Sequence, residues 1–229
     1  MKVLSAEAVF ASLFACGALQ FGVRKHLKMH ALDENAPKSY LYANIRNDPV
    51  APVLLRASGE HMASAMHHVL ELQDGRNWSV VGVPNGGVEL AEGFVRNIHR
   101  YNQSGVTLIA PLEKVGEDAE RHIQIVPRTL LPESPILLIE NVVTTAASAI
   151  EAVKALRRYG GTVNKVMTLL DRELGGAENL AALGVELVSC CKITWLIDFL
   201  HEVGLIDDDI ARNSLLNLQD MQLYLKQAS

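Results

Sequence analysis

Short blocks of consecutive apolar residues alternate along this chain with longer segments in which apolar residues recur every three or four positions. The short blocks predict buried strands at residues 78–83, 106–112, 123–126, 136–139, 165–170 and 185–189. The longer segments predict helices at residues 5–20, 58–72, 88–101, 146–159, 177–183 and 195–203, with further helix after residue 204. Because strands and helices alternate, we expect an α/β fold in which a mostly parallel sheet is flanked by helices.

The first part of the chain is less regular. Residues 24–48 are polar, with one short extended piece at residues 40–42, and Pro49 and Pro52 break the chain before the second predicted helix. We find no repeat, low-complexity segment or linker in the sequence. The length of 229 residues therefore predicts a single domain over residues 1–229.

Composition narrows the classes of protein to consider. Aromatic residues make up only 5% of the chain, so the core is expected to be mostly aliphatic, as in parallel sheets covered by helices. A net charge of −5 and the lack of a basic run argue against a nucleic-acid partner. The uncharged stretch at residues 8–23 is too short for a membrane helix, so we expect no membrane partner.

The three cysteines are Cys16, Cys190 and Cys191. Their number is odd, two of them are adjacent and no CxxC pair occurs, so neither a disulfide framework nor a zinc site is expected. Free cysteines are typical of a reducing compartment, which predicts a cytoplasmic location.

The most informative segment is residues 136–148, Ile-Leu-Leu-Ile-Glu-Asn-Val-Val-Thr-Thr-Ala-Ala-Ser. The predicted strand ends on Glu140 and Asn141, and a helix is predicted to begin near Ala146. The first turn of a helix has free N–H groups that bind phosphate, and nearby hydroxyl groups add donors. A carboxylate beside them can bind ribose hydroxyl groups or a metal ion. The segment therefore predicts a site for a sugar phosphate.

This segment resembles the phosphoribosyl pyrophosphate (PRPP) motif of type I phosphoribosyltransferases. Other blocks resemble the orotate phosphoribosyltransferases of that family and occur in the same order. They are Phe21-Gly22, Leu27-Lys28, Ser39-Tyr40-Leu41-Tyr42 with Arg46, the loop at residues 82–87, and Asp171-Arg172-Glu173 with Gly175-Gly176. Together the blocks span roughly residues 5–205, which makes the resemblance far more specific than one motif.

The resemblance implies the family's fold, with a small N-terminal hood at about residues 20–50, a core at about 56–192 and C-terminal helices at about 194–229. It implies transfer of the phosphoribosyl group of PRPP to orotate, giving orotidine 5′-phosphate and pyrophosphate. It also implies a Mg²⁺ ion held mainly by PRPP, with Glu140 as an optional ligand. A homodimer is implied on the same ground.

The resemblance assigns roles to residues as well. The catalytic residues would be Glu140, Lys114 and His122. The residues that bind PRPP would be Glu140, Asn141, Thr144, Thr145, Ala146, Ala147, Ser148, Pro84, Asn85, Gly86 and Gly87. The residues that bind the base would be Lys28, Tyr40, Leu41, Thr144 and Arg172. A planar guanidinium suits a carboxylate, so Arg172 indicates an acidic acceptor such as orotate.

Three departures from the family pattern keep other functions open. Asn141 stands where the family has a second acid, and Ala146 and Ala147 stand where it usually has glycine. Residues 111–122 correspond to a basic mobile lid over pyrophosphate, yet they hold four acids. The alternatives are a PRPP or nucleotide sensor with weak or no catalysis, and a phosphoribosyltransferase for another base.

The departures also make predictions. An alanine costs about 1–2 kcal/mol where the backbone is left-handed and nothing where it is helical, and the sequence does not distinguish these cases for Ala146 and Ala147. If the protein is a weakened enzyme, Asn141→Asp and Ala146→Gly should raise turnover.

Overall fold

A computed structural model describes residues 3–25, 36–46, 50–66, 77–100, 105–116, 122–127 and 133–228. The strands within them are β1 (Leu19–Lys25), β2 (Ser39–Ala43), β3 (Trp78–Gly82), β4 (Val106–Ile109), β5 (Leu112–Val115), β6 (His122–Ile125), β7 (Ile136–Val143), β8 (Val163–Asp171) and β9 (Glu186–Lys192). The helices are α1 (Ala6–Ala15), α2 (Pro52–Met66), α3 (Gly87–Arg100), α4 (Ala147–Arg158), α5 (Gly176–Ala181), α6 (Ile193–Glu202) and α7 (Asp208–Ala228). None of these helices combines the length and apolar character needed to cross a bilayer.

Five strands form a parallel sheet in the order β4-β3-β7-β8-β9. The chain leaves β3 for one edge of the sheet, at β4, and later enters β7 on the other side of β3. Where connections leave neighbouring strands in opposite directions, a crevice opens at the carboxyl ends of the strands. That crevice lies between the ends of β3 and β7, the two strands that lead into the segments predicted to bind PRPP.

The apolar blocks are buried on both faces of this sheet. In β7, Leu137 and Ile139 join a hydrophobic cluster with α2, α3, α6 and α7, whereas Ile136 and Leu138 join a second cluster with α4 and α5. Successive side chains of a strand point to opposite faces, so a strand covered on both sides needs a continuous apolar run. The predicted α/β fold with a mostly parallel sheet flanked by helices is confirmed.

β1 and β2 lie apart from this sheet and form a two-stranded antiparallel sheet, with Phe21 opposite Leu41. The sequence predicted a helix as far as residue 20 and missed β1. The helix in fact ends at Ala15, and Gly17 takes a left-handed backbone (φ 78°) that ends the helix and starts the strand. Helix α7 packs against both strands of this small sheet.

Candidate active site

The end of β7 differs from the prediction. The strand was expected to stop at Ile139, but it continues to Val143 because β8 keeps pairing with it as far as Asp171. On its other side β7 loses its partner earlier, since Gly82 at the end of β3 lies opposite Ile139. Glu140 is therefore held in a strand, with a sheet partner on one side and the crevice on the other.

Glu140 is 6% exposed. One of its carboxylate oxygens accepts the N–H of Asn141 at 3.1 Å. Pairing with Thr168 of β8 fixes the backbone at this point. A carboxylate so fixed at the crevice can accept hydrogen bonds from ribose hydroxyl groups and stabilise a nearby positive charge.

Asn141 joins three parts of the molecule. Its Nδ2 donates to the carbonyl oxygen of Ile45, which follows β2, and its Oδ1 accepts the N–H of Val142 at 2.8 Å. Gly86 packs directly on it, since a Cβ atom at Gly86 would lie 2.2 Å from the Asn141 Nδ2. An aspartate could not donate to the carbonyl of Ile45, so the amide at this position has a structural role that an acid would not fill.

The loop after β3 is fixed against β7 by its backbone. The N–H of Val83 donates to the carbonyl of Ile139 at 2.8 Å, and the N–H of Gly87 donates to the carbonyl of Val83 at 2.9 Å. A Cβ at Gly87 would lie 2.2 Å from the Ile139 oxygen, so only glycine allows α3 to start this close to β7. Pro84 is half-buried, and the exposed Asn85 has a left-handed backbone with φ 74°.

At the start of α4, the two alanines that the sequence could not distinguish have different backbone conformations. Ala146 has φ 62° and ψ 18°, a left-handed conformation, whereas Ala147 is the first helical residue. Ala146 therefore carries the expected penalty of about 1–2 kcal/mol and Ala147 does not. The Ala146 side chain makes no capping hydrogen bond to the first turn of α4. Thr144, Thr145 and Ser148, which flank this position in the sequence, are half-buried. The site thus offers backbone N–H and hydroxyl donors to a phosphate.

The segment after β8 lies against residues 143–145. The N–H of Arg172 donates to the carbonyl of Val143 at 2.8 Å, and the Asn179 side chain donates to the carbonyl of Thr145 at 3.0 Å. The Asp171 carboxylate accepts the N–H of Glu173 at 2.8 Å, and its burial raises the pKa of Asp171. The three segments predicted from separate motifs therefore meet at one edge of the sheet.

The Arg172 side chain is 5% exposed and turns toward the small sheet. Its Nη2 donates to the Ser39 hydroxyl at 2.6 Å and to the carbonyl of Leu41 at 3.1 Å, whereas its Nε has no partner among the described residues. Burial lowers the pKa of Arg172 to about 10, so it is still charged at neutral pH. Within the described part of the chain, no carboxylate lies within salt-bridge distance of it.

The other residues assigned to the base lie in different places. Leu41 is buried beside Arg172, whereas the half-buried Tyr40 is on the opposite face of β2, because side chains alternate along a strand. Thr144 belongs to the loop between β7 and α4. Lys28 lies outside the described residues.

The lid segment contains a β-hairpin, of which the sequence predicted the second strand, at residues 123–126, but not the first, β5. Lys114 in β5 lies opposite Ile123 in β6, and Val115 lies opposite His122. The N–H of Ile123 donates to the Glu151 carboxylate of α4 at 2.8 Å. This bond links the hairpin to the helix that begins at the predicted phosphate-binding loop. Lys114 is half-buried and His122 is exposed. Residues 117–121, between the two strands, are outside the described part of the chain.

Among the described residues, three polar ones around Arg172 were not predicted to belong to the site. They are Ser39, Ser214 and Asn217. Ser214 left a faint signal, because it is a hydroxyl in the buried stripe of α7 that includes Ala211, Leu218 and Met221 at helical spacing. Nothing in the sequence distinguishes Asn217 from the other polar residues of that helix.

Comparison with known proteins shows which family this chain is similar to. No family model matches the chain. The chain is 30% identical over 187 residues to the orotate phosphoribosyltransferase of Methanoculleus marisnigri, which covers 81% of this chain and 95% of that relative. The fold of this chain is similar to that of orotate phosphoribosyltransferase from Aeropyrum pernix, with a TM-score of 0.58 and 20% identity. The match covers 86% of this chain and 99% of that chain. The fold is also similar to that of UMP synthase from Leishmania donovani, with a TM-score of 0.67, 19% identity, and coverage of 97% of this chain and 42% of that longer chain.

Proposed function

Because the chain belongs to the family of orotate phosphoribosyltransferases, we propose that it transfers the phosphoribosyl group of PRPP to orotate, giving orotidine 5′-phosphate and pyrophosphate. Orotate is proposed as the acceptor because of Arg172. Its guanidinium is buried beside the predicted PRPP loop and has no carboxylate partner among the described residues. A buried charge is costly unless it is paired. The carboxylate of orotate would supply the missing negative charge.

The crevice between β3 and β7 would hold PRPP. The N–H groups at the start of α4 and the hydroxyl groups of Thr144, Thr145 and Ser148 would bind the 5-phosphate. The loop of residues 84–87 would bind pyrophosphate through its backbone. Glu140 would hold the ribose hydroxyl groups and stabilise the positive charge that develops at ribose C1 as the bond to pyrophosphate breaks.

The site is compatible with a magnesium ion that is bound mainly through the substrate. No group of three or more potential metal-binding side chains occurs among the described residues. Mg²⁺ commonly binds substrate phosphates, water and only one or two carboxylates. PRPP would therefore hold the ion, and Glu140, at the crevice, would be its one protein carboxylate. When bound, the ion would neutralise charge on the leaving pyrophosphate.

Lys114 and His122 would act from the hairpin at the edge of the site. Both lie near the end of the hairpin that leads into residues 117–121. Positive charge from Lys114 would favour the departing pyrophosphate, and His122 would add a hydrogen-bond donor. A homodimer and a cytoplasmic location complete the proposal and rest on the resemblance and on the free cysteines.

A second candidate is a protein that binds PRPP with little or no catalysis. Two observations favour it. The Asn141 side chain is engaged by Ile45 and Gly86 and brings no charge to the ion or the transition state. Ala146 holds a left-handed conformation that suits glycine better.

Calorimetric titration with PRPP and Mg²⁺, followed by orotate, tests both candidates when pyrophosphate release is measured in the same samples. PRPP binding with orotate-dependent release of pyrophosphate supports the enzyme. PRPP binding without release supports the sensor. No binding of PRPP rejects both, and release only with a different base rejects orotate as the acceptor.

A further inference from the structure

The C-terminal helix α7 binds the strand that contacts Arg172. The Asn217 Oδ1 accepts the N–H of Tyr40 at 2.7 Å, and the Asn217 Nδ2 donates to the carbonyl of Lys38 at 2.9 Å. One amide side chain thus bonds the residue before Ser39 and the residue after it. Ser39 itself is 1% exposed and accepts from the Arg172 guanidinium at 2.6 Å. Asn217 therefore fixes the piece of strand that holds Arg172.

A second amide side chain of α7 bonds the backbone directly after Arg172. The Gln222 Nε2 donates to the carbonyl of Glu173, the next residue along the chain, at 2.8 Å. The Glu173 carboxylate accepts both the N–H and the hydroxyl of Thr194 at the start of α6, at 3.0 and 2.8 Å. Helix α7 consequently bonds both the strand in front of the guanidinium and the turn from which it projects.

Arg172 and α7 also share a small cavity of about 10 Å³, about the space that one water molecule needs. Arg172 and Ser214 both line it, and the Arg172 Nε and the Ser214 hydroxyl are buried with no hydrogen-bond partner among the described residues. Asn217 forms part of the same wall. Buried donors without partners are uncommon, and here two of them occur beside a positive charge that has no counter-ion among the described residues. The polar surroundings of Arg172 are thus made jointly by β2 and α7.

We propose that α7 is part of the acceptor site and that Asn217 is a positioning residue for it. By fixing Lys38 and Tyr40, Asn217 sets where Ser39 and the carbonyl of Leu41 hold the Arg172 guanidinium, and so where the anionic group of the acceptor binds. This inference rests on the proposed function, because it assigns Arg172 to an anionic acceptor. It adds a helix that lies outside the motifs that bind PRPP.

The test compares Asn217→Ala with Asn213→Ala, an exposed asparagine of the same helix. Pyrophosphate release gives kcat and separate KM values for orotate and PRPP, and thermal melting reports folding. Because two hydrogen bonds are lost beside the acceptor contact, we expect Asn217→Ala to raise the KM for orotate about tenfold. The KM for PRPP should stay within about twofold of wild type, and Asn213→Ala should match wild type in every value.

Asn217→Asp serves as a second variant and also covers the case in which Asn217→Ala fails to fold. It keeps the acceptor for the N–H of Tyr40, loses the donor to Lys38 and adds a carboxylate to the cavity wall beside Arg172. That carboxylate would compete with the anionic group of the acceptor for the guanidinium. We therefore expect Asn217→Asp to raise the KM for orotate more than Asn217→Ala does.

Several results would overturn the inference. If the Asn217 variants change the two KM values equally, or only lower the melting temperature, Asn217 has a structural role alone. If they leave the KM for orotate unchanged while wild type is active, the inference fails and the proposed function stands. If wild type shows no turnover with orotate, the proposed function fails, and the assignment of α7 to its acceptor site fails with it.

Discussion

The two halves of the site are built in different ways. The half proposed to bind PRPP, here called the PRPP side, comes from short contiguous segments at the ends of β3 and β7. Its contacts are mostly backbone contacts within or between those segments. The half proposed to bind the acceptor, here called the acceptor side, is assembled from Ser39, Arg172 and Asn217. These residues come from distant parts of the chain, and the side chains of Arg172 and Asn217 bond to the strand that contains Ser39. Contiguous sequence therefore specifies the first half, whereas the second depends on how the small sheet and α7 pack.

The two halves also differ in the kind of unfavourable feature that each contains. On the PRPP side this feature is a strained backbone at Ala146. On the acceptor side it is electrostatic, since Arg172 is buried without a counter-ion, and its Nε and the Ser214 hydroxyl lack partners, among the residues that the structure describes. Strain and unpaired charge are both typical of sites whose structure is completed by a ligand. Substitutions should therefore change the two halves independently.

The largest effect is expected from Glu140→Gln, which removes the charge of the PRPP side while keeping its shape. Loss of one electrostatic contact to a transition state commonly lowers kcat by about 10²–10³-fold, and we expect a loss of that size with the binding of orotate unchanged. Steady-state measurement of pyrophosphate release checks it. The matched control is Glu202→Gln, at an exposed position of α6, and equal activity of the two variants would contradict a catalytic role for Glu140.

Arg172→Met removes the positive charge of the acceptor side, as Glu140→Gln removes the negative charge of the PRPP side. A charged hydrogen bond to a carboxylate is lost, so the KM for orotate should rise about 10²-fold, while PRPP affinity from calorimetry stays at the wild-type value. Stability should change little, because the loss of the bonds to Ser39 and Leu41 is offset by removal of a buried charge that no described carboxylate pairs with.

Arg158→Met, at an exposed arginine of α4, is the control for this change. A parallel loss of affinity for PRPP in Arg172→Met would show that the two halves are not independent.

Asn141→Asp sharpens the comparison, because sequence and structure predict opposite results. From the sequence the change restores a family acid and should raise turnover. In the structure it removes the donor to Ile45 and places a negative charge against that carbonyl, so we expect a loss of about 1–3 kcal/mol in stability and no gain in turnover. Thermal melting and pyrophosphate release decide between them, with the exposed Asn164→Asp as the control. Increased turnover at unchanged stability would refute the structural argument.

The smallest effect is expected at the left-handed residue. Ala146→Gly should stabilise the protein by about 1 kcal/mol because glycine adopts φ 62° without a steric penalty. That corresponds to a rise of about 2–4 °C in melting temperature for a protein of this size. Ala147→Gly, one residue later and helical, should give no such gain, and equal shifts in the two variants would mean that strain at Ala146 is not the cause.

Much of the fold could be predicted from the periodicity of apolar residues, but boundaries at the site could not. The block at residues 136–139 predicted β7, yet the strand continues through the polar Glu140 and Asn141 because β8 continues beside it. β1 was missed because its residues follow α1 without a polar break. The first strand of the lid hairpin, β5, was missed because its sequence Leu-Glu-Lys-Val shows no apolar alternation, whereas the second strand was predicted at residues 123–126. In each case pairing with another strand outweighed the local pattern.

The sequence by itself determined the fold class, the family resemblance and which segments are predicted to bind PRPP, because these depend on residues that are neighbours in the chain. Only the tertiary structure decided that Ala146 is left-handed, that Asn141 bonds the segment after β2, and that Arg172 is enclosed by β2 and α7. The last two features depend on contacts between residues 96 to 179 positions apart. The chemistry of a buried charge is set by everything packed around it, and no local pattern in the sequence encodes those surroundings.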